Sequence, residues 1–121
     1  MKFKFLIGFL ASLACSASLM AADIYKIEDL YAKNTTLDGK TVVVKGKVVK
    51  ISSGIMGKDW IHVQDDSKTP EKNKVVFTAK MDTVKVNIGD TVTAQGTLKA
   101  KVDLGAGYYY DVLIEDSTFS K

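Results

Sequence analysis

Met56, Trp60 and His62 stand within seven residues of one another in "GIMGKDWIHVQDD" (54–66), and they include the chain's only tryptophan and its only histidine. A thioether and an imidazole together suit Cu(I), above all in an oxidising compartment where thiolates are lost. A tryptophan face can lie over such a cation and shield it from water. A second thioether would have to come from Met81. Met56, His62 and Met81, with Trp60 as lid, are therefore the metal site that the residue types suggest. Trp60 with Tyr108 and Tyr110, from the run "YYY" (108–110), also offers aromatic platforms of the kind that hold single-stranded nucleic acid or oligosaccharide. The same residues have a plainer reading. Met56 would plug a barrel end, Trp60 would pack under a loop, and His62 would be a solvated strand residue.

Other chemistries find little support. The histidine has no serine or cysteine partner in an identifiable motif, so the expectation is a binding protein and not an enzyme. "GAG" (105–107) is followed by no helix that could hold an anion, so it reads as a tight loop. The acid pairs Asp65–Asp66 and Glu115–Asp116 read as solvated strand ends, since a calcium site needs more oxygen ligands in one loop.

The elements that must position these residues follow a leader. "MKFKFLIGFLASLACSASLMAAD" has two early lysines, an apolar run and then small residues, the layout of a secretory signal peptide. The expected signal is 1–21, with cleavage after Ala21 or Ala22 and no transmembrane anchor afterwards. A lipoprotein would use Cys15, but Ser12 stands where a large aliphatic residue is expected. Cleavage removes Lys2 and Lys4, leaving 15 of the 17 basic residues against 14 acids, a net charge of about +1. It also removes the only cysteine, which excludes disulfides, thiolate metal sites and a Cys-x-x-Cys-His haem anchor. The chain has no arginine, the preferred bidentate partner of phosphate and guanine, and this argues against strong nucleic-acid binding.

Residues 22–38 read as an N-terminal helix and linker, with Ile24, Ile27, Leu30 and Tyr31 at helical spacing and "NTTLDGK" as a loop. From 39 to 121 the pattern has period two. Strands are expected at 41–51, 59–64, 75–81, 91–102 and 108–115, with loops "SSGIMGK" and "DLGAGYYY" beside the second and fifth. "GKTVVVKG" and "GDTVTAQG" share a frame in which Gly46 and Gly96 fall in mid-strand, a sign of a bulge or bend. Two long bent strands, first and fourth of five, imply an all-β, five-stranded OB-fold barrel with a short N-terminal helix. A five-stranded SH3-like barrel is the nearest competitor. In an OB-fold the ligand face lies on strands two and three between those two loops. Ile61 and Val63 would face the core, leaving Trp60 and His62 outside, where Met56 and the tyrosines converge.

"GIMGKDWIHVQD" and "DLGAGYYYDVLIED" together resemble a family of small exported bacterial OB-fold proteins, over about residues 39–119. Some members are encoded beside respiratory c-type cytochromes, including the nitrite-reductase system, and members are commonly labelled nucleic-acid-binding on fold alone. The resemblance implies the fold and a periplasmic location; the expected protein is a monomer, with a respiratory enzyme or cytochrome as its partner. The chain is more loosely similar to periplasmic OB-fold copper chaperones, which bind Cu(I) with one His and two Met under a Trp. Those proteins place the methionines after the tryptophan; here Met56 precedes it. Exported haem-handing OB-fold proteins carry a Tyr four positions after a surface His, and Asp66 stands there instead. The functional expectations are a Cu(I)-binding protein, a protein-interaction module, or a polymer-binding barrel.

Overall fold

The computed structural model describes residues 24–121. The signal peptide assigned to 1–21, its cleavage point and Cys15 lie outside those residues. Two short helices, α1 (Ile27–Ala32) and α2 (Asn34–Leu37), precede β1 (Thr41–Ile55), β2 (Lys58–Gln64), β3 (Lys74–Lys80), β4 (Thr91–Gly105) and β5 (Tyr108–Ser120). The strands close into a barrel in the order β1-β2-β3-β5-β4. Every pair is antiparallel except β3–β5, which is parallel.

Closure requires β1 to serve two neighbours. It pairs with β4 over Thr41–Lys47 and with β2 from Lys47 to Ile55. Gly46 sits at that hand-over. A Cβ there would fall 2.6 Å from the Gln64 carbonyl oxygen and 2.8 Å from Val63 Cγ1. Gly96 is equally crowded, with Ile114 Cγ2 at 2.6 Å and the Glu115 carbonyl oxygen at 2.7 Å from the same position. At Gly96 the register with β5 shifts, between Gln95 and Thr97, and such a bulge turns a strand. In β1 the shift comes between Val48 and Lys50, so Gly46 marks a close approach and Val49 the irregularity.

Alternation puts Val42, Val44, Ile61, Val63, Phe77, Leu98 and Ile114 inside the barrel, where Ile27, Leu30 and Leu37 of the helices join them. The expected N-terminal helix is confined to Ile27–Ala32, and "NTTL" forms α2 in place of a loop, with Leu37 in the core. Asp65 also differs from its solvated reading. Its carboxylate accepts hydrogen bonds from the Ile27 and Ser67 backbone N–H groups, each at 2.8 Å, while Ser67 Oγ accepts from the Glu28 N–H. The β2–β3 loop thereby caps α1, whose own preceding residue, Lys26, cannot. Asp66 is exposed, as expected, and pairs with Lys26.

The hairpins differ most from the expected strands. β1 and β2 run to a two-residue turn at Met56 (φ 52°) and Gly57 (φ 75°), flanked by the pair Ile55–Lys58. β4 and β5 do the same at Ala106 (φ 54°) and Gly107 (φ 85°), flanked by Gly105–Tyr108. Positive φ at both central residues is the type I′ geometry, whose twist matches the strands it joins. Neither tip carries the long loop expected from its glycines.

Candidate functional site

β3 is buried at five consecutive positions, Val75 to Ala79. A strand buried at successive residues is covered on both faces. Val75 and Phe77 belong to the barrel core, while Val76 packs on the outside with Trp60, Leu113, Val102, Leu104 and Tyr110. The cover is the outer half of the β4–β5 hairpin. Lys101 leaves the extended backbone there (φ 55°). Val112, behind it, faces the barrel core, whereas Val102 and Tyr110, beyond it, pack on Trp60.

Trp60 is thus on the outer wall yet only 6% exposed. Its ring lies 6.1 Å from that of Tyr110 at 30°, and its Nε1–H donates to the Ile55 carbonyl at 2.8 Å. That bond ties the indole to the β1–β2 tip and makes it a fixed wall. Thr78, opposite Trp60 on β3, is buried with no hydrogen-bond partner for its hydroxyl among the described residues.

Beside Trp60 opens a cleft of about 480 Å³, within the range of small-ligand sites. Met56, Trp60, His62, Tyr108 and Tyr110 all line it, and Lys50, Ser52, Ile55, Leu104 and Ala106 complete it. Five of the six residues singled out by type therefore meet in one place. Met81 does not; it follows the end of β3, exposed, and is not part of the cleft wall. Tyr109 is exposed and outside the cleft too. Lys50, Ser52 and Leu104 were not anticipated. The β1–β2 register sets Lys50 opposite His62 and Ser52 opposite Trp60, through shifts on either side of them that no residue type announces.

His62 is half-buried, with Lys50 opposite on one side and Val76 on the other. Its ring makes no hydrogen bond to the described residues. Burial first, then the positive charges of Lys50 and Lys74, hold its pKa below the ordinary 6.5. The neutral ring is therefore favoured at pH 7, with one ring nitrogen carrying N–H and the other a lone pair free to accept a proton or a metal. Among the described residues, no three His, Cys, Asp or Glu side chains group as a metal site.

A wider groove of about 980 Å³ runs past Tyr25, Lys45, Gly46, Asp66 and Ile88. Its wall also includes Ile24, Lys26, Lys47 and Gln64. No helix of the described residues is long and apolar enough to cross a membrane. No protein-family model matches the chain, and no curated protein matches it significantly.

Proposed function

We propose that this chain is a periplasmic OB-fold accessory module that holds a protein partner of the respiratory chain in the Trp60 cleft. The closed order β1-β2-β3-β5-β4, with its one parallel pair β3–β5, supports the OB-fold reading. The observation that carries the function is the convergence of Met56, Trp60, His62, Tyr108 and Tyr110 on one open cleft between two hairpin tips. Ile55, Met56, Tyr108 and Tyr109 leave large apolar side chains about half exposed at those tips. Interfaces favour such Met and Tyr anchors over a rigid floor. The module acts as a monomer and catalyses nothing. The test is titration of ¹⁵N-labelled protein with the host's periplasmic c-type nitrite reductase. Shifts should centre on residues 52–62 and 104–110, and Tyr108→Ser should weaken the complex about tenfold, as for an interface anchor. Shifts centred on the wider groove, or no complex at all, overturn the reading.

A second reading is Cu(I) held by Met56 and His62, favoured by the neutral imidazole facing the same cleft as a thioether. Lys50 and Lys74 oppose any cation there, and Met81 would have to come from outside the cleft. Because the His62 pKa is lowered, protons compete late: Cu(I) affinity should be flat around neutral pH and fall only below the ordinary 6.5. His62→Ala should abolish that fall. An anaerobic competition titration with a Cu(I) chelator across pH 5–8 reads it, and failure of the wild type to compete removes copper.

A further inference from the structure

The cleft is polarised. Lys50, Ser52 and His62 form one part of its wall, and Ile55, Met56, Leu104, Ala106 and Tyr108 form the apolar part. No carboxylate lines it. The two ion pairs among the described residues are Lys26–Asp66 and Lys121–Asp90, so the exposed Lys50 ammonium has no acid within salt-bridge reach. The charges acting on His62 are likewise all cationic, from Lys50 and Lys74.

Resting on the docking reading above, we infer that the docked segment is acidic–apolar: an aromatic or aliphatic side chain packs against Ile55, Met56 and Leu104 while an adjacent Asp or Glu carboxylate meets Lys50. Charge complementarity selects the acid, and the aliphatic wall selects its neighbour. A nucleotide fits less well. Tyr110 packs beside Trp60 with ring centroids 6.1 Å apart, the indole is nearly fully buried, and a single lysine offers few phosphate contacts.

Three tetrapeptides test this: acetyl-Gly-Phe-Glu-Gly-amide and its Gln and Lys counterparts, titrated into ¹⁵N-labelled protein and followed at the Trp60 indole and the cleft amides. The Glu peptide should bind about two- to fivefold more tightly than the Gln peptide, the scale of one exposed ion pair, with the Lys peptide weakest. Lys50→Met, an exposed change that leaves the core intact, should make the Glu and Gln peptides equal while both still bind. Equal affinities in the wild type, or a preference for the Lys peptide, overturn the acidic assignment and leave the cleft as a docking site. No cleft shifts with any peptide remove the docking reading as well. A free acid, 4-phenylbutyrate, that binds where no peptide does assigns the cleft to a small molecule and overturns the segment. A thymidine oligonucleotide shifting the same resonances at lower concentration than the Glu peptide overturns it in favour of nucleic acid.

Discussion

Met56 carries a conformational cost that its neighbours do not explain. The first central position of a type I′ turn favours Asn, Asp or Gly, because L side chains crowd the backbone at positive φ. A long apolar side chain is held there at φ 52° and left 57% exposed. Strain of this kind, kept at the rim of a cleft, points to a role for the side chain. Met56→Asn should therefore raise stability by about 0.5–1 kcal/mol while weakening whatever the cleft binds. Chemical denaturation of wild type and variant checks the first half, and a loss of stability would show that Met56 packs more than its exposure indicates. Met56, Trp60, His62, Tyr108 and Tyr110 were legible in the sequence because rare side chains on alternate strand positions share a face. Lys50 was not, since its place opposite His62 depends on a register shift that no residue type announces.

At the scale of elements, the barrel rests on two strands, β1 and β4, that approach their neighbours closely at a mid-strand glycine. Gly46→Val should destabilise the domain by about 1–3 kcal/mol, because the new Cβ meets the Gln64 backbone, which cannot swing aside. Lys45→Val, one residue away but exposed, should change stability by less than about 0.5 kcal/mol. Parallel urea titrations compare the two, and an unchanged midpoint for Gly46→Val would mean that the crossing is not tight. The mid-strand glycines made this crowding readable in advance. The hairpin lengths were not, because glycine at a tip suits a long loop and a type I′ turn equally. The turn wins when the flanking residues can continue the ladder, as Ile55 with Lys58 and Gly105 with Tyr108 do.

For the whole molecule, 17 lysines stand against 14 acids and arginine is absent. Few phosphates can be neutralised at once, and no guanidinium fork reads a base. Single-stranded DNA should therefore bind no more tightly than about 10 µM at about 0.15 M salt, measured by fluorescence anisotropy. Sub-micromolar binding would show that stacking on the tyrosines outweighs the missing charge. The outer layer has no counterpart in the local pattern. The β4–β5 hairpin extends past the barrel, covers Trp60, Val76 and Leu113, and creates a second small core.

Local pattern alone determined the β character, the five strands in order, the inward faces of Ile61 and Val63, and the gathering of rare side chains on β2. Each of these follows from period two and from residue type, which a chain carries in its own neighbourhood. Tertiary structure alone decided that Trp60 is a fixed wall, that Asp65 caps α1 from 38 residues away, that Lys50 faces the histidine and that Met81 stands outside the cleft. Those outcomes depend on register, on a bulge and on one hairpin folding over another, which no single stretch of the chain carries by itself.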